Sequence, residues 1–240
     1  MPPLLEVALN GSRSSDEHPA IPRTPEQLAA SSQAAAEAGA QVLHLHAYDS
    51  MGRETLATEA CSAALRAVRA ACPGVPISLT TSAAIEPDPR HRLELVAGWT
   101  ELPELVTANQ GEEGILELCD HLIGRGVGIE AGLLSLKDAE TFAGAGVAEG
   151  CVRVLIEPLD AEPGKAVDHA AAMEAVLARA EISLEQVHHG DGIASWAVSA
   201  RALARGHGIR TGLEDTTVLA DGRPAIDNAE LVRAAAALMT

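Results

Sequence analysis

Eight short apolar runs recur along the chain, and each is followed by an alanine-rich amphipathic stretch. This alternation constrains the fold more than any other feature. The runs cover residues 4–10, 41–46, 76–80, 105–109, 127–130, 152–157, 186–189 and 208–214. The first intervening helix is predicted to open at Thr24-Pro25-Glu26, with threonine as N-cap and proline in the first turn. It ends at Ala38-Gly39, where glycine can take the left-handed cap. Further helices are predicted over 54–71, 88–97, 111–124, 135–145, 164–180, 193–205 and 228–239. Strands alternating with helices imply a parallel sheet. Eight units of about 30 residues match a (β/α)8 TIM barrel, an α/β fold, at its compact end. No linker or composition shift divides the chain, so one domain over residues 1–240 is expected. The alternative, an open doubly wound sheet, is weakened because no GxGxxG follows the first run.

Composition removes several classes of function. A hydrophobic fraction of 47% argues against disorder. No apolar run approaches the roughly 18 residues that span a bilayer, and no basic, then apolar, leader opens the chain, so neither a membrane nor a secreted protein is expected. Cys61, Cys72, Cys119 and Cys151 are scattered with no CxxC pair, which fits a reducing, cytoplasmic setting. The balance of 17 basic and 34 acidic residues gives a formal charge of −17, which repels nucleic acid and anionic membranes. A small anionic substrate is still admitted where arginines reverse the field inside a cleft.

Strand parity points to a site. Side chains alternate between the helix side and the barrel interior. Leu43 and Leu45 suit the helix side, which turns Val42, His44 and His46 inward. In the eighth run Ile209, Thr211 and Leu213 point outward, and Arg210, Gly212 and Glu214 inward. The same reading turns Asn10, Thr80, Asn109, Glu130, Glu157 and His188 inward near the C-terminal ends of their strands. A polar ring at one end of an apolar barrel is unfavourable unless its members bind something or satisfy one another. That end is where TIM-barrel chemistry is found.

Within this ring, His44-Leu45-His46 is the strongest local signal: two imidazoles on one strand face can reach one ion. Glu214 suits the third ligand position, because the eighth strand of a closed barrel lies near the second. The same histidines would also serve as neutral core residues bonded to neighbours. Arg210 could grip a substrate carboxylate or hold Asp215, which follows the strand and could act as a general base; a structural ion pair is the other reading. The loop after Asn10-Gly11 carries Ser12, Arg13, Ser14 and Ser15 and could hold an anion. Thr80-Thr81-Ser82 could donate to a carboxylate or phosphate, or simply form a turn. His188-His189 before Gly190-Asp191-Gly192 offers a weaker second ligand pair.

These segments resemble one family. Asn10-Gly11-Ser12, His18-Pro-Ala-Ile-Pro22, Thr24-Pro-Glu-Gln-Leu28, His44-Leu-His-Ala-Tyr-Asp49 and Arg210-Thr-Gly-Leu-Glu-Asp215 are similar to motifs of the β-keto acid cleavage enzymes. The resemblance runs from the first strand to the last helix and is thinner between about residues 80 and 189. It implies a TIM barrel with one Zn2+ or similar divalent ion on His44, His46 and Glu214. It also implies condensation of a β-keto acid with acetyl-CoA, giving acetoacetate and a new acyl-CoA. Asp215 would be the catalytic base, positioned by Arg210. Asn10, Arg13, Thr80, Ser82, Asn109 and Glu130 would lie around the substrate. Family members tend to be homo-oligomers. This chain departs from the pattern in having Arg13 where a glutamate is common, and Thr80-Thr81-Ser82-Ala83 where Ser-Thr-Gly-Gly is usual. An arginine at that position disfavours a cationic amino substrate. Two other readings use the same residues: a divalent-metal TIM-barrel lyase or hydrolase that does not use CoA, and a metal-holding protein without chemistry.

Overall fold

The computed structural model describes residues 3–240. Strands β1 (Leu5–Ala8), β2 (Val42–Leu45), β3 (Ile77–Thr80), β4 (Leu105–Asn109), β5 (Gly128–Leu133), β6 (Cys151–Ile156), β7 (Glu185–His188) and β8 (Gly208–Thr211) form a closed parallel barrel in chain order. Helices α1 (Pro25–Ala38), α2 (Thr58–Ala71), α3 (Pro89–Ala97), α4 (Ile115–Gly124), α5 (Leu136–Ala145), α6 (Pro163–Arg179), α7 (Ala194–Ala204) and α8 (Asn228–Leu238) alternate with the strands. The chain is therefore a compact (β/α)8 barrel. Closure comes from β1, which pairs with β2 on one side and β8 on the other, Glu6 lying opposite both Val42 and Arg210.

Local chemistry explains the element ends. Thr24 Oγ1 accepts from Gln27 N while Gln27 Oε1 accepts from Thr24 N, a reciprocal cap on α1. α2 begins at Thr58, later than the periodicity predicts, because Tyr48 and Glu54 pair across a loop hairpin. β8 ends at Thr211, so Gly212–Glu214 form a turn rather than strand. The helix side of the barrel is apolar as expected: Leu43, Leu45, Ile77, Leu79, Val106, Ile129, Val154 and Ile209 are fully buried there. No helix among the described residues is long and apolar enough to cross a membrane.

The interior corrects the expectation of an apolar barrel with polar residues at one end only. Glu6, Ser78, Glu130, Arg153 and Arg210 are all buried inside it. Arg153 lies 3.1 Å from Glu130 and 4.0 Å from Glu6, and Ser78 Oγ donates to Glu130. Pairing makes the Glu130 and Arg153 charges tolerable there, whereas neither oxygen of Glu6 has a hydrogen-bond partner. Burial, reinforced by the neighbouring Glu130, pushes the Glu6 carboxyl well above its ordinary pKa. Parity in β7 also differs from expectation. Val187 takes the interior, so His188 faces the helices and stacks on His207 at 4.8 Å, and His189 is the residue that turns inward.

Outside the barrel, Glu174 on α6 ties α6 to α7. It accepts from Arg201 at 2.5 Å and Arg205 at 2.8 and 3.1 Å, and lies 3.3 Å from His207. Burial opposes its charge, but the hydrogen bonds from Arg205, Arg201 and His207 prevail and hold its pKa at about 2. A depressed folded-state pKa contributes stability that is complete above the unfolded value and is lost as pH falls through the folded one. Glu174→Gln is therefore expected to lower stability by roughly 2 kcal/mol at pH 7. The difference from wild type should shrink between about pH 5 and pH 2, as read from urea midpoints; a gap that does not change with pH would contradict it.

Candidate metal centre and active site

Only β1 separates β2 from β8, so the C-terminal ends of those strands bring His44, His46 and Glu214 together. His44 Nε2 and His46 Nε2 each lie 3.6 Å from Glu214 Oε2, and one donor atom from each residue falls within 4.8 Å of the others. Glu214 Oε2 is buried without a hydrogen-bond partner. An orphaned carboxylate oxygen between two imidazole nitrogens is unfavourable unless a cation shares it, and two histidines with one carboxylate is a donor set that suits zinc.

Neighbouring groups fix the ring orientations. His44 Nδ1 faces Thr107 Oγ1 at 3.2 Å and Ser78 Oγ at 3.3 Å, which leaves Nε2 toward Glu214. His46 Nδ1 is held by Glu54 Oε1 at 2.5 Å. Burial disfavours the imidazolium on both. It wins at His44, whose pKa falls to about 3. At His46 it is overcome by Glu214 and Glu54, which raise the pKa to about 9. The burial penalty on Glu214 is likewise overcome by His44, His46 and Arg210, which hold it well below the carboxylate range.

Beside this triad lies a second buried group. Arg210 grips Asp215 with two hydrogen bonds, NH2 to Oδ1 at 2.7 Å and Nε to Oδ2 at 3.2 Å. Its NH2 also reaches Glu214 at 3.4 Å and Glu157 at 4.0 Å. Burial would raise the Asp215 pKa, but Arg210 and His189 lower it, so the group is a carboxylate. His189 is fully buried between Asp215 Oδ1 at 3.3 Å and Glu157 Oε2 at 3.4 Å. A carboxylate held this way, next to Glu214 in the chain, can accept a proton from a substrate carbon.

The remaining expected contacts are placed as follows. Asn10 is fully buried and engaged: its Nδ2 donates to Pro22 O and His46 O, and its Oδ1 accepts from His46 N and Gly11 N. It anchors the end of β1 to the chain at the end of β2. Glu130 is fully buried and accepts from Ser78 Oγ and from Arg153. Arg13 stands at the mouth, but its guanidinium binds Glu214 O at 2.9 Å, Asp191 at 3.0 Å and Glu17 at 3.4 Å, so its charge is already balanced. Thr80 Oγ1 accepts from Ser82 N. Ser82 and Asn109 both point to Glu112. The reading from sequence named His189 only as half of a weaker second ligand pair, and did not single out Glu54, Ser78 or Glu6. Parity could have found Glu6, two and four residues before the inward positions 8 and 10. A cavity of about 390 Å³ lined by Gly11, Arg13, His46, Glu157, Asp191 and Glu214 opens onto the triad. A larger one of about 610 Å³, lined by the loop before α4 with Glu112 and by residues of α4 and α5, holds none of the triad.

The profile of the beta-keto acid cleavage enzymes matches residues 2–189 and 135–240. A 3-keto-5-aminohexanoate cleavage enzyme of Fusobacterium nucleatum subsp. nucleatum is 34% identical over 110 residues, 45% of this chain and 39% of its own length. The enzyme of the same name from Acetoanaerobium sticklandii is 29% identical over 123 residues, 50% and 45% respectively. These alignments span less than half of either relative. Among solved structures, ObcA in a ternary complex with a C4-CoA adduct and oxalate superposes with a TM-score of 0.71 at 18% identity, over 90% of this chain and 62% of that one. At that identity the likeness speaks for the barrel.

Proposed function

The chain belongs to the beta-keto acid cleavage enzyme family, and we propose that it condenses a β-keto acid with acetyl-CoA to give acetoacetate and a new acyl-CoA. The observation that carries this reading is the juxtaposition of the orphaned Glu214 Oε2, the two histidines around it and the Arg210-gripped carboxylate of Asp215. The named relatives and the CoA adduct of ObcA support the same substrate class.

His44, His46 and Glu214 would hold a divalent ion, of which zinc suits the donors best. When bound, such an ion supplies Lewis acidity at the keto oxygen. Asp215 takes the proton between ketone and carboxylate. The carbanion attacks the acetyl carbonyl of acetyl-CoA, and the coenzyme A thiolate leaves. That thiolate attacks the original ketone carbon, the bond to the acetoacetate carbanion breaks, and Asp215 returns the proton to it. Protons balance over the cycle. Arg210 holds the carboxylate in line and keeps it charged, while His189 and Glu157 close the other side.

A panel of β-keto acids with acetyl-CoA, followed for acetoacetate, tests the reaction. Consumption of a β-keto acid that ignores acetyl-CoA would replace this reading with a CoA-independent lyase. The ion site has its own test. Glu54 fixes the His46 ring, and partners of this kind tune metal affinity by about 10- to 100-fold. Glu54→Gln should weaken Zn2+ binding by that factor in chelator competition, and His46→Ala should lose the ion. Wild-type affinity in both variants would remove His46 from the ligand set.

A further inference from the structure

A proton taken up by Asp215 has little direct access to water. The Asp215 side chain is 2% exposed and is absent from the lining of the cavity beside the triad. Its carboxylate oxygens meet the side chains of Arg210 and His189. Arg210 is a permanent cation and cannot accept a proton. His189 can, and its Nδ1 lies 3.3 Å from Asp215 Oδ1. The other ring nitrogen, Nε2, lies 3.4 Å from Glu157 Oε2. The ring is fully buried, yet neither nitrogen has a well-formed hydrogen bond. A buried imidazole kept only for packing would satisfy at least one of them. Bonds along a catalytic chain are often long until substrate closes the site. Glu157 directly follows β6, is partly open and lines the cavity. Burial raises its carboxyl above the ordinary range, against the pull of His189 and Arg210, which suits a group that takes and releases a proton.

We propose that His189 and Glu157 form a proton relay that connects the buried Asp215 to water in the cavity. The relay rests on the proposed reaction, in which Asp215 removes a proton from C2 of the β-keto acid. The electron pair of the broken C–H bond stays on C2. His189 begins as the neutral tautomer protonated at Nε2. Asp215 Oδ1 passes the substrate's proton to Nδ1 while Nε2 passes its own to Glu157 Oε2. Asp215 is again a carboxylate, the ring is neutral in its other tautomer, and Glu157 is a carboxylic acid that exchanges with water. The reverse transfers bring a solvent-derived proton to Asp215, which delivers it to the acetoacetate carbanion. No net proton is gained or lost. His189 and Glu157 act through Asp215 and need not touch the substrate.

Turnover in D2O reads the relay. Acetoacetate is sampled early, spontaneous exchange is measured without enzyme, and deuterium at C2 is counted per molecule of acetoacetate formed. That ratio does not depend on how far a variant slows the reaction. Wild type should place about one deuterium at C2 per turnover, because the proton exchanges while it is on the enzyme. Glu157→Gln removes the last acceptor of the relay and His189→Asn its middle. Both should hand back the substrate's own proton and cut incorporation to about a fifth or less. Glu157 is partly exposed, so Glu157→Gln carries the test if His189→Asn fails to fold. Wild-type incorporation in Glu157→Gln, or unlabelled acetoacetate from wild type, overturns the relay. So does loss of acetoacetate formation by a folded Glu157→Gln protein, because the cycle closes by internal return without the relay. No acetoacetate from wild type with any β-keto acid would instead overturn the proposed reaction, and the relay with it.

Discussion

Asp215→Asn is expected to lower kcat/KM by about 10²- to 10⁴-fold, the range a positioned general base supplies, without loss of the divalent ion. Asp215 is bound by Arg210 and His189 and lies outside the group of donors that can share an ion. Asparagine keeps the shape and can still accept one hydrogen bond from Arg210, and Arg210 retains Glu214 at 3.4 Å and Glu157 at 4.0 Å. The stability loss should therefore stay near 1–3 kcal/mol, that of a weakened buried hydrogen-bonded pair rather than of an unpaired buried charge. The base role has a readout that needs no acetyl-CoA. Wild type should exchange the C2 protons of a β-keto acid with deuterium, seen by NMR, and Asp215→Asn should not. Exchange persisting at the wild-type rate would assign the proton transfer to another group, of which His189 is the nearest. Metal content measured on the same sample separates a lost base from a lost ion.

The sequence made the barrel legible because its period is carried by apolar residues whose contacts are local: Leu43 and Leu45, or Ile209 and Thr211, read correctly as the helix-facing set. The clustering of His44, His46 and Glu214 was legible for a related reason, since the two histidines share one face of one strand and the glutamate follows a strand that closure brings near. What was hidden depends on pairings between distant segments. The short sequence around Glu54 does not reveal that its hairpin returns to His46, and neither Ser82 nor Asn109 reveals that both meet Glu112. In β7 a single apolar residue decided the outcome. Val187 fills the interior beside Gly208, so the inward histidine is His189 and not His188. The polar interior was missed because Glu6 and Arg153 sit in runs of otherwise apolar strand residues, where one charged residue reads as an exposed position. Arg13 shows the limit of residue-by-residue reading: its charge was legible, but its three acceptors were not.

Gly212→Ala is expected to have the largest effect on stability, about 4 kcal/mol or more. This exceeds ordinary overpacking because backbone rather than side chain stands in the way. Gly212 has φ +143°, and a Cβ there would lie 2.0 Å from Ala8 O, 2.7 Å from Ala8 C and 2.9 Å from Ala8 N. Ala8 is the last residue of β1, and its carbonyl accepts from Glu214 N at 3.2 Å. The carbonyl of Gly212 in turn accepts from Asp215 N at 3.0 Å and Thr216 N at 2.9 Å. One added methyl group thus pushes the turn that carries Glu214 and Asp215 away from the strand that closes the barrel. Gly206→Ala is the matched control. It also has positive φ, at +81°, but a Cβ there meets nothing within 4 Å, so only left-handed backbone strain of about 1–2 kcal/mol should appear. Denaturant midpoints should separate the two variants by at least 2 kcal/mol. In whatever fraction of Gly212→Ala still folds, Zn2+ affinity and turnover should fall together on the proposed roles, because the same displacement moves both Glu214 and Asp215, whereas Gly206→Ala should keep both. A Gly212→Ala protein as stable as Gly206→Ala would mean that the β8 turn does not hold the close approach to β1 on which the geometry of the site depends.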